Sequence, residues 1–275
     1  MNLRSALEAT FVTDTGLARK HNEDFVAADA DYGLAVLADG MGGYNAGEVA
    51  SGMAVTLIMQ GLKTRLTGFA PGTHGAEALA ELVREEVAKS NTAVYETARN
   101  RPQCAGMGTT LVMAAFFDNR MIAAHIGDSR LYRLRDERLD QITRDHSLLQ
   151  EQIDSGMLSV QEAVHSQNKN LVTRALGVDP EVMLDVAIHD TQPGDIYLLC
   201  SDGLTDMVAV DDMRDVLDLM GANLPLAAQH LVQMANDHGG RDNISVALVK
   251  VTARFPAHRH FLQSLWRWMT GAGGK

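Results

Sequence analysis

Four aspartates of this chain occur where an apolar segment meets a turn. Asp39 and Asp202 each follow an apolar run and precede a glycine, Asp128 follows Ala-Ala-His-Ile-Gly, and Asp242 lies between a glycine pair and the last apolar run. A single aspartate in such a place is more often a turn former or a helix cap. Four in one setting predict a site made of oxygen ligands, if the strand ends converge. Hard cations such as Mg²⁺ and Mn²⁺ prefer such ligands.

The stretch 35–43 shows this setting in most detail. Ala-Val-Leu-Ala reads as a buried strand that delivers the Asp39 carboxylate, and the glycines that follow give the backbone room to turn. Asn45, with Glu48 three residues later, predicts the start of a helix. Strand, acid, glycine turn and helix together can hold a metal ion. The sequence shows no cluster of histidines and cysteines that would favour a softer metal.

The composition is that of a soluble globular enzyme. The chain has 275 residues, of which 46% are hydrophobic and 21% charged, and its net charge is -11. Such a charge disfavours nucleic acid as a partner, and clustered acids repel one another unless a cation lies among them. Two cysteines indicate neither a disulfide framework nor a zinc site. No secretory signal and no apolar run of about 18 residues is visible, so we expect a cytoplasmic protein.

The hydrophobic periodicity separates strands from helices. We predict strands at residues 8–13, 25–28, 35–38, 111–117, 121–127, 129–135, 138–142, 182–188, 196–200 and 244–251. We predict helices from the glycines to about residue 62 and over residues 76–98, 146–155, 159–166, 211–220 and 225–238. In the first helix the rows Val49-Met53-Leu57 and Ala50-Ala54-Ile58 have the spacing of a buried face.

Several strands are apolar without alternation, which indicates that both of their faces are covered. Tight turns such as Asp118-Asn119 and Pro193-Gly194 join many of them, which implies antiparallel pairing. Two packed antiparallel sheets with helices outside, in one domain, account for both features.

Seven short motifs in order give the chain a family resemblance. They are Arg19-Lys-His-Asn-Glu-Asp24, Asp39-Gly-Met-Gly-Gly43, Gly108-Thr-Thr110, Gly127-Asp-Ser-Arg130, Asp145-His-Ser147, Ser201-Asp-Gly203 and Gly240-Arg-Asp-Asn243. Over about residues 8–251 the chain resembles the bacterial form of the metal-dependent type 2C serine/threonine protein phosphatases. The resemblance implies an α+β fold, a four-layer α-β-β-α sandwich of two mostly antiparallel sheets flanked by helices. It also implies a catalytic domain over residues 1–253, a flap near 147–170, and a separate C-terminal tail over 254–275.

The resemblance also implies a role for each site residue. Two Mn²⁺ or Mg²⁺ ions, with a third beside them, would be held by Asp39 as the bridge, the Gly40 carbonyl, Asp202, Asp242, Asp128 at the third ion, and Glu23 through water. Arg19 would bind the substrate phosphate through the paired N–H donors of its guanidinium group. The cations would neutralise the acids and activate a water for attack on phosphorus.

One position departs from many relatives, which carry a histidine after the Asp-Gly pair. Met41 stands there and cannot protonate the leaving group, so a metal-bound water would have to serve. We read His146 as a polar residue of the Asp-His-Ser turn and His125 as a hydrogen-bonded core histidine.

The function implied is hydrolysis of phosphoserine and phosphothreonine in proteins, opposing a serine/threonine kinase, by a monomer. A pseudophosphatase that binds phosphoproteins without turnover is the alternative, and a serine hydrolase is disfavoured because no Gly-x-Ser-x-Gly elbow occurs. The tail lies outside the resemblance. Its stripe of Phe261, Leu262, Leu265, Trp266 and Met269, with Arg259 and Arg267, predicts either a packed terminal helix or a segment that docks on a membrane surface or partner.

Overall fold

The apolar runs of the sequence form two antiparallel sheets that lie face to face between two layers of helices. The computed structural model describes residues 3–43, 46–69, 75–159, 162 and 171–255. Its strands are β1 Leu7–Asp14, β2 Asp24–Asp29, β3 Leu34–Met41, β4 Gly108–Thr109, β5 Leu111–Phe117, β6 Arg120–Ile126, β7 Arg130–Arg135, β8 Arg138–Gln141, β9 Asp185–Asp190, β10 Ile196–Cys200 and β11 Ile244–Val251. Its helices are α1 Ala46–Leu66, α2 Ala76–Asn100, α3 Leu148–Asp154, α4 Asp202–Thr205, α5 Val210–Met220 and α6 Leu224–Asp237, with a 3₁₀ turn at Pro102–Cys104.

Sheet 1 has the strand order β1-β11-β10-β7-β8, and sheet 2 the order β2-β3-β5-β6-β9 with β4 paired to β3. Every ladder is antiparallel. The hairpin between β5 and β6 turns through Asp118 and Asn119, as predicted, and their φ angles of +50° and +58° are typical of a type I′ turn. The predicted strand at 182–188 begins three residues later, at Asp185.

Three apolar clusters fill the spaces between the four layers. Residues such as Leu37, Val112 and Leu199 lie between the sheets. Helices α1 and α2 cover the outer face of sheet 2, and α5 and α6 cover that of sheet 1. Strands β5, β10 and β11 are therefore buried on both faces, which explains their lack of alternation. The predicted four-layer fold is confirmed.

The predicted buried face of α1 is wrong for one of its two rows. Ala50, Ala54 and Ile58 are fully buried, whereas Val49 is 37% and Leu57 38% exposed. Helical spacing alone fits either row. Small residues allow the helix to lie close to sheet 2, so the alanine row takes the inner position. Leu62 and Leu66 extend this row, and the helix ends at Leu66 instead of residue 62.

The segment after β8 carries few apolar anchors, as its sequence indicates. Ser147 caps α3 through a bond from the Gln150 amide. Ser159 and Glu162 exchange hydrogen bonds in the predicted capping arrangement. The rest of the predicted helix 159–166, the C-terminal part of the predicted flap, the Asn45 cap and the tail from residue 256 lie outside the described residues. Within the described ranges, no helix combines the length and apolarity needed to cross a bilayer.

Candidate active site

All seven predicted site residues line one cavity of about 450 Å³ at one end of the sandwich. The lining consists of Arg19, Glu23, Asp39, Gly40, Met41, Gly42, Thr110, Asp128, Leu171, Val172, Asp202, Asp242 and Asn243. Carboxylates supply much of this lining. Met41, Leu171 and Val172 are its large apolar residues.

The cavity forms because strand ends from both sheets meet there. Asp39 lies near the end of β3 in sheet 2, and Asp128 follows the end of β6 in the same sheet. Asp202 follows β10, and Asp242 precedes β11, which pairs with β10 in sheet 1. The shared local setting of the four aspartates thus corresponds to a shared place in the fold.

Thr110 fixes the strand that carries Asp39. Its amide donates to the Asp39 carbonyl at 2.8 Å, and its hydroxyl accepts from the Asp39 amide at 3.0 Å. The same hydroxyl shares a hydrogen bond of 2.8 Å with Ser129, which follows Asp128 in sequence. One buried side chain therefore connects the segments that present two of the four acids.

Asn243 fixes the loop that carries Arg19 and Glu23. Its side-chain oxygen accepts from the Glu23 amide at 2.8 Å, and its side-chain nitrogen donates to the carbonyls of Thr15 and His21, each at 2.9 Å. Because Asn243 directly follows Asp242, this amide holds the loop against the start of β11.

Two close backbone approaches require glycine. A Cβ on Gly40 would overlap the carbonyl oxygen of Gly47, so the pair lets the first turn of α1 lie against the end of β3. A Cβ on Gly203 would likewise overlap the carbonyl oxygen of Asn243, which lets α4 approach β11. In both cases the glycine after the aspartate brings a second element up to the cavity.

Burial and mutual repulsion raise the pKa values of the cavity acids. Burial, then the charges of Asp128 and Asp242, raise the pKa of Asp202 to about 8. Burial raises the pKa of Asp128 to about 6, with Asp145 adding repulsion. The pKa of Asp39 lies well above its ordinary value because of burial and then the surrounding carboxylates. Without a counter-cation, these groups therefore hold protons at higher pH than free aspartates do.

The unsatisfied oxygens of the cavity fit a cation. Asp202 Oδ1 is buried and has no hydrogen-bond partner among the described residues. A buried carboxylate oxygen without a donor is costly unless a positive charge meets it. Among the described residues, the cavity lining offers carboxylate and carbonyl oxygens but no histidine or cysteine, which is the donor set of a hard divalent cation.

Arg19 supplies positive charge at the mouth of the cavity. Its Nη2 donates to Asp242 Oδ2 at 2.6 Å, and its side chain is 51% exposed. The hydrogen bond to Asp242 raises the pKa of the guanidinium further, so the group stays charged. A half-exposed arginine beside an acidic cavity can turn its remaining donors towards an entering anion.

Sequence reasoning assigned no role to Asp24, Thr110 and Asn243. Asp24 pairs across the ladder with Asp39, accepts from Ser201 at 2.8 Å, and has a pKa that burial raises to about 6. All three residues belong to the ordered motifs, which is the signal that could have found them. Their contacts span 15 to 228 positions of sequence, so only the fold shows what they hold.

Known proteins resemble the chain over most of its length. The sequence profile described as protein phosphatase 2C matches residues 18–235. The serine/threonine phosphatase stp of Listeria welshimeri is 39% identical over 248 residues, which are 89% of this chain and 96% of that protein. The crystal structure of the Mycobacterium tuberculosis serine/threonine phosphatase PstP/Ppp superposes with a TM-score of 0.81 at 36% identity, over 90% of this chain and 99% of that one. A structure of the PstP catalytic domain in complex with two manganese ions superposes with a TM-score of 0.78 at 36% identity, over 90% of this chain and 98% of that one.

Proposed function

The chain belongs to the protein phosphatase 2C family and is a serine/threonine protein phosphatase, and from this premise we propose that the acidic cavity is where it hydrolyses phosphoserine and phosphothreonine in proteins. The observation that carries the proposal is that Arg19, Glu23 and the four aspartates line one cavity. A pseudophosphatase has no need to keep that whole set, and the named relatives are phosphatases.

The cavity acids would hold two divalent cations, Mn²⁺ or Mg²⁺. Asp39 would lie between the two, with the Gly40 carbonyl, Asp202 and Asp242 as further ligands and Glu23 acting through water. Asp128 with Asp202 would serve a third ion. The unpaired Asp202 Oδ1 and the oxygen-only lining support this assignment. Bound divalent cations lower the pKa of water and withdraw negative charge from a phosphoryl group.

Arg19 would bind and orient the substrate phosphate. Its guanidinium donates to Asp242 through Nη2. The remaining donors can form paired hydrogen bonds to two phosphate oxygens, which lysine cannot reproduce. This places the phosphate beside the acids and limits its rotation, and such fixed geometry lowers the barrier for in-line attack.

The leaving alkoxide would receive its proton from water inside the cavity. Met41 lines the cavity at the position where many relatives carry a histidine, and a thioether carries no proton. No histidine lines the described part of the cavity. We propose further that the substrates are those of a serine/threonine kinase and that the tail 254–275 docks on a partner or a membrane surface.

The test is release of phosphate from a phosphothreonine peptide by the purified chain with Mn²⁺, and with chelator in place of the ion. The Asp39→Asn variant is the control for the cavity. We expect turnover only with the cation and a loss of at least about a hundredfold in kcat for the variant, since a bridging charge is removed. Tight peptide binding without hydrolysis would indicate the pseudophosphatase instead.

A further inference from the structure

His146 holds both backbone polar groups of Gly127, the residue before Asp128. The His146 amide donates to the Gly127 carbonyl at 2.9 Å, and the Gly127 amide donates to His146 Nδ1 at 3.2 Å. The ladder between β5 and β6 ends one residue earlier, at Ile126. Beyond the ladder, in the turn that presents Asp128, both backbone polar groups of Gly127 are therefore held by one residue of another segment, while Thr110 holds Ser129 on the other side of Asp128.

Gly127 has no side chain whose contacts could fix the position of its backbone. Its φ is +103°, and a Cβ would lie 2.7 Å from Thr110 Cβ, so the position admits only glycine. The bond to Nδ1 is buried. Removing the acceptor would leave the amide of Gly127 unpaired in a buried place, which is costly and would let the turn rotate to find another partner.

The other side of His146 connects to apolar residues of the cavity lining. Its carbonyl accepts from the Thr173 amide at 2.9 Å, and the next residue, Ser147, bridges to Val172. The Leu148 amide donates to the Leu171 carbonyl at 2.9 Å. Leu171 and Val172 are apolar residues of the cavity lining. The short segment at His146 thus joins the Asp128 turn to these residues.

The imidazole is itself held in place. Its Nε2 lies 3.2 Å from Asp185 Oδ2, and its ring stacks on His125 with centroids 4.7 Å apart and planes at 20°. Since Nδ1 accepts from Gly127, the proton of the neutral ring is on Nε2, which donates to Asp185. His125 holds the same segment through a 2.7 Å bond to the Arg144 carbonyl.

These contacts favour hydrogen bonding over metal binding for this group. His125, His146 and Asp185 each bring one ligand atom within 4.8 Å of the others. An imidazole binds a cation in its ring plane, however, and two stacked, nearly parallel rings share no such point. His146 Nδ1 also already accepts the Gly127 amide.

We infer that His146 is a positioning residue that orients the Asp128 turn through the bond between the Gly127 amide and Nδ1. The inference rests on the proposed function in treating Asp128 as part of the reacting site. His146 does not line the cavity and touches no reacting atom, so it acts through Gly127.

Two substitutions of His146 distinguish the role of the Nδ1 hydrogen bond from that of the Nε2 hydrogen bond. In His146→Asn the amide oxygen takes the place of Nδ1 and can accept from Gly127, while the bond to Asp185 is lost. In His146→Gln the longer side chain can reach Asp185 but leaves the Gly127 amide unpaired. Asp185→Asn is the matched control, because it weakens the outer bond and leaves Nδ1 unchanged.

The first readout is hydrogen exchange of the Gly127 amide by NMR in chelator, which does not depend on activity. The second is kcat and KM for a phosphothreonine peptide at saturating Mn²⁺. We expect His146→Asn and Asp185→Asn to keep protection and kcat within about threefold. We expect His146→Gln to speed Gly127 exchange about tenfold or more and to lower kcat about tenfold, with KM little changed because Arg19 is untouched. Thermal unfolding of each variant checks that it is folded.

Protection retained in His146→Gln but lost in His146→Asn would overturn the inference, because the Asp185 bond would then orient the turn. Unchanged exchange and kcat in both variants would also overturn it. If the unmodified chain released no phosphate, the proposed function would fail. The expected exchange pattern would still support His146 as the residue that holds the Asp128 turn.

Discussion

Asp202 combines burial, an unpaired oxygen and neighbouring carboxylates. Because its pKa is raised to about 8, the folded chain binds a proton there that the unfolded chain, near 3.8, has already released at neutral pH. The folded state binds more protons between these two values, so its stability falls as the pH rises through that window.

We therefore expect Asp202→Asn to stabilise the cation-free protein while abolishing hydrolysis. At pH 8 in chelator, denaturant unfolding should show a gain of up to about 5 kcal/mol, since the pKa of Asp202 rises from 3.8 to about 8 on folding and one pKa unit corresponds to about 1.4 kcal/mol. The gain should shrink as the pH falls and vanish below about pH 3, where Asp202 is protonated in both states. Asp218→Asn, on the exposed face of α5, is the control and should show neither effect. A variant less stable than the unmodified protein at pH 8 would contradict this account of the cavity.

Substitutions of Arg19 test whether its side chain binds the substrate phosphate. Arg19→Ala should raise KM for a phosphopeptide about tenfold or more, because a paired, charge-assisted contact is lost. Arg19→Lys should recover only part of this, since lysine keeps the charge without the paired donors. Arg84→Ala, on α2, is the matched loss of an arginine outside the cavity. Equal KM values for Arg19→Ala and Arg84→Ala would show that Arg19 does not bind the phosphate.

Whether the role of a residue can be predicted from the sequence depends on whether a local sequence pattern indicates it. The four aspartates were found because each carries a local pattern of apolar run and turn, and their motifs added Arg19 and Glu23 by resemblance. The contact of His146 with Gly127 joins segments that are 19 positions apart in sequence, and no local pattern predicts it. His125, His146 and Asp185 likewise form one group only after three segments fold together.

At the scale of elements, the junction between β3 and α1 depends on a contact between two glycines. The glycine-rich turn was predicted to relieve the backbone, and the structure adds that Gly40 and Gly47 touch. This contact was not visible in the sequence because it needs the helix to fold back along the strand.

Gly40→Ala should therefore separate α1 from β3. We expect a loss of about 1–3 kcal/mol in the free energy of unfolding from overpacking. A displacement of about 1 Å at Asp39 would also lower kcat up to about a hundredfold. Gly43→Ala is the control in the same turn, because a Cβ there meets no atom within 4 Å and should cost little. If the two variants behaved alike in denaturant unfolding and in phosphopeptide hydrolysis, the close contact would not be what requires glycine at position 40.

Element bounds were predicted to within a few residues where periodicity was strong, as in α2 and β11. The inner face of α1 was wrong because two adjacent rows satisfy the same spacing and only the sheet beneath decides between them. The way in which sheet 1 packs on sheet 2 could not be predicted from local sequence patterns, because it is set by contacts between the two sheets.

At the scale of the whole molecule, the cavity joins the two sheets. Asp39 and Asp128 come from sheet 2, and Asp202 and Asp242 flank strands of sheet 1. Repulsion between these carboxylates opposes the packing of the two sheets. A cation shared by them would replace this repulsion with a net attraction. Cation binding should therefore stabilise the fold as a whole, and not the loops of the site alone.

We expect this stabilisation to increase with pH, because cations bind the deprotonated carboxylates and compete with protons. At pH 8, Mn²⁺ at about 100 times its dissociation constant should add about 2.7 kcal/mol, which raises the melting temperature by about 5 °C or more. Near pH 5, below the raised pKa values of Asp202 and Asp128, the same Mn²⁺ concentration should add much less. Differential scanning calorimetry of the full chain, with Mn²⁺ and with chelator, measures both.

The control for this measurement is Asp39→Asn, which removes the proposed bridge and leaves the other acids in place. This variant should lose most of the Mn²⁺-dependent rise in melting temperature at pH 8, whereas Asp218→Asn should keep it. A rise of equal size at pH 5 and pH 8 would mean that Mn²⁺ binds groups other than the buried acids. Because the raised pKa values arise from burial and from mutual repulsion, the pH dependence of the rise and its loss in Asp39→Asn are two consequences of one cause. They should appear or fail together.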